Sequence, residues 1–231
     1  MGSTVDEKRA PRATRLAILE TAGALFARKG LGGVGVREIV KEAGTSLSSV
    51  NYHFTSKENL YVACLRHVFD DRLGLSGVFG VLDDVRGLTA QGISDLLGSM
   101  IHRTLVAILG PGTPAWYGEL MVRSRMDMHH LSPRALYRLE EPLKLRRFVQ
   151  ERCPHLSAVF VEHWFISLMA QLQYYIVEKE SVLLGFGLTS YDTDFLSATA
   201  RFMAESSALT LGLPMPGAGC FDDSPLEEAC G

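Results

Sequence analysis

The sequence predicts an all-α protein of about nine helices, on three observations. Apolar residues recur at three- and four-residue spacing through most of the 231 residues. No convincing run of alternating strand residues interrupts them. Glycines and hydroxyl residues stand at the edges of the periodic stretches, where helix stops and caps belong. With 47% hydrophobic and 21% charged residues, the chain has the composition of a globular protein with a sizeable core.

Residues 1–11 are polar, end at Pro11 and are expected to form a flexible arm. A first helix follows from about Arg12 to Lys29, with Leu16, Leu19, Ala22, Leu25 and Phe26 as its buried stripe, and Gly30 ends it. The link after it, LGGVG, is neither a Walker sequence nor a dinucleotide fingerprint. Val36, Ile39, Val40 and Ala43 then recur at helical spacing, and Gly44 supplies a left-handed stop. Ser46 offers a hydroxyl cap to a short helix from about Leu47 to Phe54. Val50 and Phe54 share its inner face, while Ser48, Ser49 and Tyr52 fall on the other side. Small hydroxyls and a phenol, without charge pairs or apolar bulk, suit a face that lies against something polar. Ser56 caps a longer helix that begins Lys57-Glu58 and buries Leu60, Tyr61, Leu65, Val68 and Phe69 as far as about Arg72.

The run Ala43-Gly44-Thr45-Ser46-Leu47-Ser48-Ser49-Val50-Asn51-Tyr52-His53-Phe54-Thr55-Ser56-Lys57-Glu58-Asn59-Leu60 resembles the helix-turn-helix of TetR-type transcriptional regulators. That signature reads roughly A-G-x-S-x-x-[ST]-[LV]-Y-x-[HY]-F-x-[SN]-K-E-x-L. The resemblance covers about residues 12 to 65. Three positions depart from it: Gly35 stands where Thr or Ser usually caps the second helix, Val40 replaces Ala and Asn51 replaces Tyr. The resemblance implies base contacts from Arg37, Leu47, Ser48, Ser49 and Asn51, and phosphate contacts from Thr45, Ser46, Tyr52, His53 and Lys57. Asn51 can pair bidentately with adenine and Arg37 with guanine. A salt bridge from Arg37 to Glu38, Glu42 or Glu58 competes with that role, and His53 is alternatively a partly buried helix histidine. Helical periodicity puts Leu47 near the core, whereas the resemblance puts it on the DNA face; we follow the resemblance.

The net charge of −3 hides an asymmetry: residues 1–60 carry +3 and the remainder −6. A basic head on an acidic body suits a nucleic-acid partner. From Gly74 to Gly87 an irregular joint is expected. Helical patterning resumes at Thr89 and stops at PGTP (111–114), returns from Ala115 to about Met128, and opens again at Pro133 towards Cys153 with a kink at Pro142. Two long apolar helices, about Leu156–Lys179 and Asp192–Leu211, are joined by a glycine-containing loop, and a disordered tail closes the chain from residue 213. The expected domains are thus a DNA-binding head over 12–60 and a ligand-binding and dimerisation body over 61–212.

Within the body, Trp116, Tyr117, Met121, Trp164, Met169 and Tyr174 are candidates to line an apolar effector pocket, with plain core as the competing reading. The adjacent pair His129-His130 is poorly spaced for chelation. Cys64, Cys153, Cys220 and Cys230 are dispersed, without zinc-ligand spacing, and reduced thiols are expected. No nucleophile elbow, H-E-x-x-H, Walker sequence or paired carboxylates point to catalysis, so no enzyme, metal or cofactor is expected. No signal peptide precedes the first helix and no stretch of about 18 residues is uninterruptedly apolar, so the expected location is cytoplasmic, away from the membrane.

The resemblance implies a repressor that binds a palindromic operator in double-stranded DNA as a homodimer, pairs through its last two long helices, and is released by an apolar or amphipathic small molecule. An activator or corepressor-dependent regulator on the same fold, or a helical protein-interaction or enzymatic module, stays open at this point.

Overall fold

The computed structural model describes residues 4–127 and 141–221, and within them the chain is all-α, with eleven α-helices and no strand. They are α1 (Thr4–Gly33), α2 (Val36–Glu42), α3 (Leu47–His53), α4 (Lys57–Arg66), α5 (Leu75–Asp84), α6 (Ala90–Leu109), α7 (Ala115–Asp127), α8 (Glu141–Arg152), α9 (Ala158–Val177), α10 (Lys179–Phe186) and α11 (Thr193–Leu211). Two compact units result. The first comprises Met1–Arg72 and Trp116–Leu139, the second Leu73–Ala115 and Glu140–Gly231.

The first unit is built on α1. Its helix extends upstream to Thr4, past Pro11, where a flexible arm was expected. Ile18 opens the buried stripe and continues through Leu19, Ala22, Leu25 and Phe26, whereas Leu16 is 41% exposed. Against it pack Ile39 of α2, Val50 of α3, and Leu60, Tyr61, Cys64 and Leu65 of α4. The Tyr61 ring meets Phe26 edge-on at 5.0 Å. α4 runs on as a π-helical turn, His67–Arg72, that buries His67 and Val68. Here Glu20 of α1 meets His67 Nε2 at 2.9 Å and pairs with Arg72. Burial opposes the charge, but hydrogen bonds from His67 and Arg72 hold the Glu20 carboxyl below its ordinary value. α7 belongs to this unit, and the ring of Trp116 occupies the space that a Cβ at Gly23 would claim.

In the second unit α6 and α11 pack against each other, α6 burying Leu96, Met100 and Leu105 and α11 burying small residues such as Ala200, Ala204 and Ala208. Among the described residues α6 is the one helix long and apolar enough to cross a membrane, and here it is a core helix. Two expectations fail in this unit. The joint from Gly74 to Gly87 is a helix, α5, because burial of Leu75 and Phe79 outweighs the roughly 1 kcal/mol that each interior glycine costs. The loop between the two long helices holds α10, whose Val182 is buried. The kink expected at Pro142 adjoins residues 128–140, which lie outside the described residues, and α8 is described only from Glu141. The expected helix start at Pro133 and the pair His129-His130 lie outside the described residues, as does Cys230.

The tail also departs from expectation as far as it is described. Pro214 to Phe221 lies along α6 and ends in a 3₁₀ turn, Ala218–Phe221, with Cys220 and Phe221 buried. Ser94 donates to the Pro214 carbonyl, Gln91 to the Met215 carbonyl, and Asp95 accepts the Gly217 N–H at 2.7 Å. The Arg201 guanidinium stands 4.9 Å over the Phe221 ring. Burial and the nearby Asp95 carboxylate push the Cys220 thiol up to about 11, so it is protonated and inert at neutral pH. Truncation after Leu213 removes this strap. It is expected to destabilise the second unit by about 2–3 kcal/mol, the value of burying one large aromatic side chain, as read by urea denaturation. An unchanged midpoint would mean that the strap contributes nothing to stability.

Candidate nucleic-acid interface and effector cavity

The turn between α2 and α3 is set by its own backbone bonds. Gly44 takes φ +60°, its N–H donates to the Lys41 carbonyl, and the Thr45 N–H donates to the Val40 carbonyl at 3.1 Å, which satisfies the carbonyls that α2 leaves open. Ser46 then caps α3, its hydroxyl accepting the Ser49 N–H at 3.1 Å. The Ser48 and Ser49 hydroxyls lie 3.0 and 2.9 Å from the same oxygen. Ser46→Ala is expected to cost about 1 kcal/mol of stability in thermal denaturation. A variant as stable as the parent would show that the cap is dispensable.

The outer face of α3 is open. Leu47 is 48% exposed and Tyr52 82%, and Ser48 and Asn51 are exposed beside them. Leu47 thus lies outside the core, against the prediction from periodicity. It is the first residue of the helix and precedes the turn that faces α1. Thr45, Ser49 and His53 are half-buried. His53 sits between the rings of Tyr52 and Phe54, at 5.0 and 6.1 Å. Phe54 is buried and carries the Arg15 guanidinium 5.5 Å from its ring. Lys57 is engaged: its ammonium donates to the Val34 carbonyl at 3.1 Å and ties α4 to the link before α2. Two of its three hydrogens remain for another acceptor. Arg37 is exposed on α2, and two of the acids that compete for it are held elsewhere, Glu38 by Lys29 and Glu42 by Arg28. The structure therefore brings Arg37, Leu47, Ser48, Asn51 and Tyr52 to the surface of one helix pair.

The six expected pocket residues divide between the two units, three in each. Trp116, Tyr117 and Met121 lie on α7 in the first unit, where Tyr117 is buried and Trp116 fits against α1. Trp164 is core in the second unit, its indole N–H buried without an acceptor among the described residues. Tyr174 is 55% exposed on α9. Met169 lines a cavity, together with Phe79 of α5, Met100 and Leu105 of α6, Leu145 of α8 and Met203 of α11. Its volume is about 30 Å³ and its one hydroxyl is that of Thr104. Sequence reasoning missed these other residues because nothing local separates a cavity wall from the core around it. Phe79 was further hidden in a segment read as irregular.

The sequence profile described as "Bacterial regulatory proteins, tetR family" matches residues 18–64. The HTH-type transcriptional regulator RutR of Escherichia coli (strain K12) is 38% identical over 68 residues, which are 29% of this chain and 32% of RutR. The HTH-type transcriptional repressor KstR2 of Rhodococcus jostii is 40% identical over 60 residues, 26% of this chain and 29% of KstR2. The chain thus spans about a third of the length of the curated relatives it matches. Likeness in fold reaches further. Mycobacterium smegmatis AmtR superposes with a TM-score of 0.54 at 17% identity, covering 92% of this chain and 88% of AmtR. Reduced E. coli NemR superposes at 0.52 and 18%, covering 83% and 95%. At such identities the likeness establishes fold alone. The open outer face of α3, the Gly44 turn and the matched window all lie in the head, and over residues 18–64 that head is similar to the tetR family of bacterial regulatory proteins.

Proposed function

We propose that the chain is a DNA-binding transcriptional repressor that grips a palindromic operator as a homodimer and is released by an apolar small molecule. The observation that carries the DNA-binding part is the outer face of α3, which is open while Val50 and the following Phe54 are buried on the inner side. Leu47, Ser48, Ser49 and Asn51, with Arg37 of α2, read base edges in the major groove. Tyr52, His53, Thr45 and the two spare hydrogens of Lys57 hold phosphates, and Ser46 assists through the N-terminal turn that it caps. Twofold symmetry places two such helices about 34–36 Å apart on one face of the duplex.

The dimer seam lies on α9 and α11. Phe160, Ile166, Tyr174 and Val177 on α9, and Phe202 and Leu209 on α11, are exposed at three- to eight-residue intervals, the pattern of a helix pair awaiting a symmetry mate. The effector enters the cavity between α5, α6, α8, α9 and α11. At about 30 Å³ that space holds a water or two, so an effector must move its walls, and Met100, Met169 and Met203 are the side chains best able to yield. A ligand that fits only the displaced arrangement shifts the population away from the DNA-bound form by its differential affinity.

The test is selection from a random duplex pool with the purified chain at moderate salt. Enrichment of a palindrome, with affinity that falls steeply as salt rises, is the expected result. If no sequence is enriched, the chain is not a repressor in its free form.

A further inference from the structure

The glycine-rich link into the helix-turn-helix is held by α7, far away in sequence. Gly30 interrupts α1 with φ +72° and ψ +172°, which opens the hydrogen-bond ladder of the helix. Two backbone groups beside the break are held by α7. Asp127 Oδ2 accepts the Leu31 N–H at 3.0 Å across 96 residues of sequence, and Arg123 Nη2 donates to the Arg28 carbonyl at 2.9 Å. The same Asp127 oxygen accepts the Tyr61 hydroxyl of α4 at 3.0 Å. Burial and the Asp127 carboxylate raise the Tyr61 phenol far above its ordinary value, so it remains a donor at every accessible pH. Three residues further on, Val34 is fixed by Lys57. Without these bonds Gly30, Gly32 and Gly33 would leave the link among the most permissive stretches of the chain.

We propose that Asp127 is a positioning residue for DNA recognition. It touches no base and lies outside the matched window of residues 18–64. Its carboxylate closes the break in α1, sets the path of the chain into α2 and so fixes the angle at which α2 and α3 are presented. The assignment rests on the DNA-binding reading above.

The experiment uses the duplex enriched by the parent chain, with all affinities measured at a temperature where circular dichroism shows each variant folded. Asp127→Ala is expected to bind that duplex about tenfold more weakly, the equivalent of re-ordering one backbone residue on binding. Exchange of the Leu31 amide is expected to accelerate in the same variant. A purely structural residue would lower the melting temperature and leave the affinity of the folded protein unchanged. Asp127→Asn keeps one acceptor in place and is expected to fall between; it serves also if the alanine variant does not fold. A folded Asp127→Asn or Asp127→Ala that binds with the parent's affinity overturns the proposal. If the parent itself enriches no duplex, the DNA-binding reading fails and the proposal falls with it.

Discussion

Phe202→Glu is expected to turn a dimer into a monomer and to weaken operator binding by about 100-fold or more, since two linked heads exceed one by that factor through effective concentration. Phe202 is 63% exposed near the middle of α11, and Leu209, two turns on, is 67% exposed. Large side chains in such a row are costly to leave in water, and on α9 the exposed Ile166, Tyr174 and Val177 extend the apolar surface. In an isologous four-helix seam each substitution acts twice, and a desolvated carboxylate without a partner costs more than the apolar contact it replaces. Phe202 lies outside the core of its own unit, so the variant should stay folded as a monomer, its melting temperature lowered only by the loss of the stabilisation that the partner subunit supplied. Sedimentation equilibrium reads the mass and a binding isotherm the affinity. A variant that stays dimeric would place the seam elsewhere, and one that is monomeric yet binds as tightly would remove the need for two heads.

The head was legible in the sequence because its signals are local. Gly44 can take φ +60° at no cost, Ser46 caps three residues ahead, and Val50 and Phe54 recur at helical spacing; each rule operates within five residues. The second unit obeys longer-range terms. LSGVFGVLDD looks broken by Gly77 and Gly80, yet Leu75 and Phe79 find a core and the helix forms. The proline- and glycine-rich stretch from Pro214 has no helical pattern, yet Asp95, Ser94 and Gln91 of α6 supply partners for its backbone. Aromatic and methionine content could not say which residues border a void, and Trp116 proved to sit against Gly23 of α1. Least visible was Asp127. Its partners are a backbone N–H and a phenol distant in sequence, and no pattern in the sequence marks a carboxylate for that role.

Phe26→Ala is expected to destabilise the first unit by about 3–5 kcal/mol and to abolish DNA binding while the second unit stays folded. Phe26 is fully buried on α1 and its ring meets Tyr61 edge-on at 5.0 Å. Deleting it removes the transfer energy of the ring, leaves a hole between α1 and α4, and forfeits an aromatic pair that is worth about 0.5–1.5 kcal/mol by itself. The loss propagates through Tyr61. That phenol donates to Asp127, which in turn accepts Leu31, so a ring free to shift loosens the link into α2 as well as the core. Domains of ordinary stability hold only about 5–15 kcal/mol in total, and the first unit must hold its share with the shorter set of helices. The two units should therefore separate in unfolding: hydrogen exchange in α1 to α4 accelerates, while α6 and α11 keep the parent's protection. Phe26→Leu, which retains most of the volume, should show the same pattern at well under half the cost. Equal loss of protection in both units would mean that the chain unfolds as one cooperative body, and that the division into two units has no energetic counterpart.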